Sequence, residues 1–166
     1  MPLTVRPALP EEFDRVGEMT ATAYVHDGHL PADYSYVQVL RDAPARAREA
    51  DLLVAADGTT LLGTVTWCPD GSAYQELAGP GEGEFRMLAV PPEARRRGAA
   101  RALVRACLDR SRAAGHSRVV LSTQPGMTAA HALYASFGFV RDPDLDWEPA
   151  PGIRLLAYAL DLEPSH

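Results

Sequence analysis

One short segment constrains the fold of this chain more than any other. A strand candidate from Glu84 to Val90 ends at Pro91-Pro92, and Gly98 then opens a helix that runs to about Ala114. Gly lets the backbone approach a ligand closely, and the first N–H groups of a helix have no partner inside it. The segment therefore predicts a strand–turn–helix unit with an anion site at the helix entry, reinforced by the helix dipole.

Strand and helix patterns alternate through the rest of the chain. Helical spacing or helix-start signals are found in residues 10–24, 33–50 and 127–137, and strand patterns in residues 4–6, 52–56, 61–67, 119–123, 139–140 and 153–160. Pro44 predicts a break in the second helix, and the acidic stretch after Val140 predicts a loop. We expect one domain over residues 1–166, with a mixed α/β fold (α+β mixed) whose central sheet of six to seven strands is flanked by about four helices.

Charge is distributed unevenly along the chain. All 16 basic residues are Arg, since the sequence contains no Lys. The segment from Arg86 to Arg118 carries a net charge of +7, whereas the remainder carries −13. A basic patch in an acidic protein indicates a phosphorylated ligand, because nucleic-acid binding usually takes a wider basic surface with aromatic platforms. A solvated Arg-rich helix face is the alternative interpretation.

Other absences narrow the chemistry and the location. Without Lys, Schiff-base formation, P-loop phosphate binding and kinase-type lysine clamps are excluded. Two Cys far apart predict neither a disulfide framework nor a metal site. The longest aliphatic run, Leu52 to Ala56, is far shorter than a membrane span, and the first residues lack the apolar core of a signal peptide. We therefore expect a cytoplasmic protein with no metal and no membrane or nucleic-acid partner.

Two motifs in the expected order carry a family resemblance. The pattern [QR]-x-x-G-x-[GA] after a strand is matched at Arg95, Gly98 and Ala100. A second pattern, A-x-x-L-Y-x-x-x-G-F, is matched at Ala130, Leu133, Tyr134, Gly138 and Phe139. With a helix and a strand between them, these motifs resemble those of the GNAT superfamily of N-acetyltransferases, and the resemblance covers nearly the whole chain.

The resemblance implies a GNAT-like sheet and acetyl-CoA as the acetyl donor. In this family the motif strand pairs with the pantetheine arm in a slot opened by a splay from the next strand, and amides at the helix entry hold the pyrophosphate. The implied cofactor-binding residues are Leu88, Ala89, Val90, Arg95, Arg96, Arg97, Gly98, Ala99, Ala100, Arg101 and Thr123.

The resemblance also implies two catalytic residues. Tyr134 stands where family members often donate a proton to the leaving thiolate, and Glu84 where several place a general base. Attack by an amine on a thioester does need a proton acceptor, because an ammonium has no lone pair. Strand alternation would put Glu84, Arg86 and Leu88 on one face, with the Leu88 amide as donor to the oxyanion. A structural Tyr and an exposed strand Glu are the alternatives.

Two positions depart from the family pattern. The Asn common three residues before the motif Ala is Met127 here, so Thr123 or Gln124 would have to replace its contact. The position two after the motif Tyr, often basic, is Ser136. Ser136 cannot make the contact with the ribose phosphate that a basic residue makes at this position in the family. Arg101 or another basic residue would have to make that contact instead.

The resemblance also implies where the acceptor enters, which in this family is between the first two helices and the last hairpin. Candidate substrate-binding residues are Tyr24, His29, Tyr34 and Trp147, and an acidic, aromatic rim would suit a cationic amine. The rim acids are expected to be Asp142, Asp144, Asp146 and Glu148 of the last hairpin, with Glu76 and Glu82 in the loop of residues 68–83. Acidic loops that are simply solvated surface are the alternative interpretation. A small-amine acetyltransferase, a protein or peptide acetyltransferase and a non-catalytic acyl-CoA-binding module all remain open, as does a homodimer.

Overall fold

Residues 3–26 and 36–162 are described by the computed structural model. They form five α-helices, which are α1 Phe13–His26, α2 Tyr36–Arg41, α3 Ala43–Glu49, α4 Ala99–Ala113 and α5 Thr128–Ser136. They also form eight strands, which are β1 Thr4–Pro7, β2 Asp51–Asp57, β3 Thr60–Cys68, β4 Glu82–Ala89, β5 Arg118–Thr123, β6 Val140–Arg141, β7 Trp147–Ala150 and β8 Ile153–Asp161. The expectation of a mixed α/β fold is confirmed.

The strands form one sheet in the order β1-β2-β3-β4-β5-β8-β6, with β7 paired to β8. Pairing between β4 and β5 is parallel, and the other pairs are antiparallel. Helix α4 follows β4 and returns the chain to β5, as a parallel pair requires. Strands β4 and β5, with α4 between them in the chain, therefore lie in the middle of the sheet.

The described residues form eight strands where six to seven are expected, and five α-helices where about four are expected. The second predicted helix is divided at Asp42, whose Oδ1 accepts from the Ala45 N–H at 3.1 Å and starts α3 beside Pro44. The predicted break is thus confirmed. The acidic stretch predicted as a loop contains β7, which pairs Trp147 with Leu155 of β8. Pairing with β8 overrides the loop-like composition of that stretch.

The sheet has a helix layer on each face. On one face α4 and α5 cover the largest core cluster, which includes Phe85, Leu103 and Tyr134. On the other face α1, α2 and α3 cover two smaller clusters around Leu40 and Val54. None of the helices in the described residues is long and apolar enough to cross a bilayer.

A bulge in β4 changes which side chains share a face. Thr64 and Thr66 of β3 pair with Ala89 and Arg86, so β4 has one extra residue between these pairs. Met87 has a φ of 59°, in the left-handed region that residues other than Gly rarely adopt. Regular strand alternation therefore fails at this point.

The bulge corrects the expected strand faces. Met87 packs in the cluster of α1 and α2, on the side where Arg86 donates to the Tyr36 hydroxyl. Leu88 packs instead against the core cluster under α4. The expectation that Leu88 shares a face with Glu84 and Arg86 is wrong, because the extra residue reverses the alternation.

Helices α1 and α2 are in close backbone contact at Gly17. A Cβ at this position would lie 2.2 Å from the carbonyl oxygen of Arg41, a backbone atom that cannot rotate away. We expect Gly17→Ala to lower the free energy of unfolding by about 1–3 kcal/mol despite the better helix propensity of Ala. Urea unfolding measures this. Gly79→Ala is the control, because its Cβ would make an ordinary 3.5 Å contact. Equal losses in the two variants would contradict the prediction.

Candidate active site

Strands β4 and β5 separate soon after they meet. They pair from Glu82 with Arg118 to Glu84 with Val120. Beyond that point no pairing joins them, although both strands continue within the described residues, β4 to Ala89 and β5 to Thr123. The separation leaves backbone groups of β4 open to a ligand, as the family resemblance implies.

A groove of about 570 Å³ runs from this opening to the start of α4. We call it the α4 groove, and it is walled by the end of β4, the entry of α4, the start of α5 and residues Ala23 and Tyr24 of α1. Most of the predicted cofactor residues meet here, namely Leu88, Ala89, Val90, Arg95, Arg96, Gly98, Ala99, Ala100 and Arg101. Arg97 and Thr123 do not line it.

The entry of α4 has the backbone geometry of an anion site. Gly98 is the N-cap residue at φ 83°, and Arg96 also lies in the left-handed region at φ 67°. The first intrahelical bond runs from the Ala102 N–H to the Gly98 carbonyl, and no side chain of residues 3–26 or 36–162 caps the helix. The N–H groups of the first turn are therefore available, and α4 is long enough for its dipole to favour an anion.

Arg97 and Arg101, both near this entry, have side-chain partners. Arg97 pairs with Asp57 at 2.9 Å, which directs it out of the groove. The Arg101 guanidinium lies 5.2 Å from the centre of the Phe137 ring and donates to the Ser136 Oγ at 3.2 Å. Ser136, which replaces a residue often basic in the family, thus orients Arg101 at the groove wall.

A second cavity of about 320 Å³ lies on the other side of Tyr24 and Met127, which line both spaces. We call it the hairpin cavity, because β7 and β8 form part of its wall. Tyr24 and Trp147, both predicted substrate-binding residues, line it, and so does Thr123. His29 and Tyr34 lie outside the described residues. The two cavities meet where a donor and an acceptor could react.

Arg86 connects three elements at the wall of the hairpin cavity. Its Nη2 donates to the Tyr36 hydroxyl of α2 at 2.7 Å. Its Nη1 donates to the Tyr74 carbonyl at 3.0 Å and contacts Glu76 Oε1 at 3.4 Å, both in the loop before β4. Its side chain is only 11% exposed. Arg86 therefore fixes the loop and α2 against the sheet while it lines the cavity.

Glu84 is fully buried and lines neither cavity. Its Oε1 accepts the backbone N–H groups of Glu76, Leu77 and Ala78 at 2.9 to 3.1 Å. Its Oε2 is buried without a partner among the described residues. Burial raises the pKa of this carboxyl, and the three N–H donors oppose the rise. Glu84 holds the loop that carries Glu76, which does line the hairpin cavity.

Tyr134 is also buried, at 5% exposure, and it too is absent from both linings. Its ring packs against Phe85, Phe139 and Tyr158 with centroid distances of 5.9 to 6.1 Å. Burial raises the pKa of its hydroxyl, and the interaction with Tyr24 adds to the rise. The hydroxyl therefore stays protonated at neutral pH.

The predicted acidic rim is not formed by the acids of the last hairpin, since none of the four lines the hairpin cavity. Asp142 pairs with Arg118. Asp146 accepts two 2.7 Å bonds from Arg141 and one from the Ala157 N–H. Arg141 lowers the pKa of Asp146 to about 2. Asp142 and Asp146 therefore stabilise the fold beside Trp147.

Comparison with known families decides the assignment. A model described as the Acetyltransferase (GNAT) family matches residues 14–139, which is most of the chain. This chain belongs to the GNAT acetyltransferase family. A sequence search of the curated proteins finds no match.

Solved structures share the GNAT fold along nearly the full length. The ribosomal-protein-S18-alanine N-acetyltransferase from Escherichia coli is 16% identical with a TM-score of 0.71, over 99% of this chain and 97% of that chain. PaiA N-acetyltransferase from Thermoplasma acidophilum, solved with coenzyme A, is 14% identical with a TM-score of 0.75, over 98% and 100%. The Salmonella typhimurium protein yncA, solved with its cofactor acetyl-CoA, is 20% identical with a TM-score of 0.70, over 97% and 94%.

Sequence reasoning did not single out Arg86 as a cavity residue of this GNAT chain. The available signal was an Arg inside the otherwise apolar stretch Phe85 to Ala89. Met127, which replaces the usual family Asn, lies at the junction of the two cavities. The Thr123 hydroxyl lies 3.6 Å from the Met127 sulfur. Thr123 is therefore next to Met127, as its expected substitution for the family Asn requires.

The positive φ at Gly98 gives a test of the α4 groove. Ala at this position would be strained, although its Cβ would meet no atom within 4 Å. We expect Gly98→Ala to weaken CoA binding about tenfold, because the strain shifts the first-turn N–H groups. Calorimetry with CoA measures the change. Gly71→Ala, with a similar φ of 80° and open surroundings, is the control outside the groove. Equal loss of CoA affinity in both variants would contradict the assignment of the CoA phosphates to the entry of α4.

Proposed function

We propose that the chain is an acetyl-CoA-dependent N-acetyltransferase that moves an acetyl group directly onto a small primary amine. The junction of two cavities at Tyr24 and Met127 carries this proposal. One cavity has the anion-binding features suited to a phosphorylated donor. The other, at about 320 Å³, falls in the range of small-ligand sites. A shared wall favours direct transfer between two bound substrates.

Acetyl-CoA fits the α4 groove as the donor. The open N–H groups at the entry of α4 suit a pyrophosphate, and the unpaired edge of β4 suits an extended arm with amide groups. The solved relatives with acetyl-CoA and coenzyme A support the same donor. When bound, acetyl-CoA supplies an acetyl thioester. Leu88, Ala89 and Val90 would hold its arm, and the residues at the entry of α4 that line the groove would hold its phosphates.

Tyr134 is the proposed donor to the leaving thiolate. It lies on α5, whose Ala130 and Leu133 line the α4 groove. Burial, and then the charge that Tyr24 would carry, raise the pKa of the Tyr134 hydroxyl, and Tyr24 lines both cavities. Burial raises the pKa of both Tyr hydroxyls, so both remain protonated at neutral pH. A protonated hydroxyl near the junction can stabilise a developing thiolate through a hydrogen bond.

Two carboxylates compete for the role of proton acceptor. Glu84, the residue that the family motif indicates, is fully buried and accepts three backbone bonds. Glu76 lines the hairpin cavity, and its side chain is 35% exposed. We propose that Glu76 receives the proton, directly or through water, and that Glu84 acts as a positioning residue by holding the Glu76 backbone.

Thiol release tests the function. We expect the chain to release CoA thiol from acetyl-CoA only when a primary amine is supplied. Tyr134→Phe keeps the ring packing and should lower kcat about tenfold to a hundredfold, since it removes a hydrogen bond to a charged group. Tyr158→Phe is the matched control, because Tyr158 packs on the Tyr134 ring and lines neither cavity.

The outcomes separate the alternatives. Tight CoA binding without thiol release from any amine or peptide would favour a non-catalytic acyl-CoA-binding module. Thiol release with peptides but not with small amines would favour a peptide acetyltransferase. Unchanged kcat in Tyr134→Phe would remove Tyr134 from the mechanism.

The two carboxylates can be separated in the same assay. We expect Glu76→Gln to lower kcat about a hundredfold with little change in KM for acetyl-CoA, because it removes the proton acceptor. Glu84→Gln should cost much less, because its amide oxygen can still accept the three backbone N–H groups. Circular dichroism checks that both variants are folded. A larger loss in Glu84→Gln than in Glu76→Gln would return the base role to Glu84.

A further inference from the structure

The hairpin cavity carries opposite charges side by side. Among the described residues that line it, the ionised side chains are Arg86 and Glu76, whose Nη1 and Oε1 lie 3.4 Å apart. A wall with one positive and one negative group is the electrostatic complement of a zwitterion. A ligand with a single positive charge would leave the guanidinium unmatched close to it.

We infer that the acceptor is an amino acid whose amine is acetylated while Arg86 binds its carboxylate. The inference rests on the proposed function, because it names the class of amine that this same site accepts. In an amino acid the amine and the carboxylate are near neighbours, as Glu76 and Arg86 are on the cavity wall. The amine is then close to the proposed proton acceptor.

Arg86 has donors left for a ligand. Its contacts with Tyr36, Tyr74 and Glu76 account for three of the five N–H groups of a guanidinium. Its Nε and one N–H of Nη2 have no partner among the described residues. A guanidinium with donors left is well suited to a carboxylate, which it can bind through two parallel hydrogen bonds.

Trp147, which lines the same cavity, has a second donor without a partner in the part of the chain that the structure describes. Its indole Nε1 is buried and has no acceptor among the described residues. A buried N–H without a partner carries a free-energy cost that an incoming oxygen would remove. Pairing of Trp147 with Leu155 fixes its backbone in β7, so the indole is held on a rigid hairpin. A carboxylate offers enough lone pairs to accept from both Arg86 and Trp147.

The rest of the wall indicates what the amino-acid side chain should be. Met87, Pro149, Ile153 and Leu155 surround the two charged groups with apolar surface, and Tyr24 and Tyr36 add aromatic rings. Burial of an apolar side chain there removes apolar surface from water on both molecules. The structure therefore favours an amino acid with an apolar or aromatic side chain.

Binding to the CoA-loaded chain tests the inference without depending on turnover. Calorimetry would compare L-leucine, L-phenylalanine, L-tyrosine and L-tryptophan with isoamylamine, phenethylamine, tyramine and tryptamine, which lack the carboxyl group. We expect an amino acid to bind about tenfold or more tightly than its matching amine, because it adds hydrogen bonds to a charged group. Thiol release from acetyl-CoA with the same panel would be measured in parallel.

Variants assign the preference to Arg86. Arg86→Gln should abolish the preference for the amino acid, because the amino acid loses the partner of its carboxylate. The matching amine loses no partner and no longer meets an unmatched guanidinium, so its affinity should not fall. Trp147→Phe keeps the aromatic ring, removes the N–H and should reduce the preference in part. Arg112→Gln is the matched control, because Arg112 is exposed and pairs with Asp109 at 3.5 Å away from the cavity. Circular dichroism and CoA binding check that each variant is folded.

Each outcome decides the inference. Tighter binding of the amino acids that is lost in Arg86→Gln supports the inference. If the amino acids bind in this way but no compound of the panel causes thiol release, the proposed acetyl transfer is wrong and the inferred amino-acid site still stands. Equal turnover of amines and amino acids overturns the inference and leaves the acetyltransferase proposal standing. The inference is also overturned if no amino acid of the panel binds. It is overturned again if Arg86→Gln lowers the affinity for an amino acid and for its matching amine by the same factor. If Arg86→Gln does not fold, the wild-type comparison and Trp147→Phe decide.

Discussion

The separation of β4 from β5 after Glu84 is the constraint on which both cavities depend. A sheet interior normally satisfies its own backbone groups, so a strand whose pairing stops in the middle of a sheet leaves donors and acceptors that need another partner. The same separation makes room for the entry of α4 on one side and the β7–β8 hairpin on the other. The bulge at Met87 acts at this point, because it directs Arg86 and Met87 to one cavity and Leu88 to the other.

Buried polar groups hold the walls of this opening. The Glu84 carboxylate is costly to bury, and three backbone N–H groups compensate by binding one of its oxygens. The loop that provides them is also held by Arg86 through the Tyr74 carbonyl. Arg46 holds the C-terminal end of α2, because its Nη1 donates to the carbonyls of Val39 and Leu40. The walls are thus positioned by side chains that reach backbone groups of neighbouring segments.

The sequence predicted the lining of the α4 groove better than that of the hairpin cavity. Gly98 and its neighbours form a local motif, in which the strand end, the turn and the helix entry are consecutive, so short-range reasoning was sufficient. The loop contacts of Glu84 and the pairing that forms β7 depend on segments distant in the chain. The bulge had no sequence signal, because a left-handed residue is usually marked by Gly and here it is Met87. The roles of Tyr134 and Glu84 stay predictions.

The bonds that Asp146 accepts from Arg141 and from the Ala157 N–H, here called the Asp146 clamp, determine how the hairpin that carries Trp147 responds to acid. A carboxyl whose pKa is lowered to about 2 contributes stability above its usual pKa near 4 and loses it only as the pH falls towards 2. Across the range in which amines gain and lose protons, this contact between Asp146 and β8 keeps its charge and its hydrogen bonds. A change of turnover with pH between neutral and alkaline conditions would therefore report on the amine and its proton acceptor rather than on loosening of the Asp146 clamp.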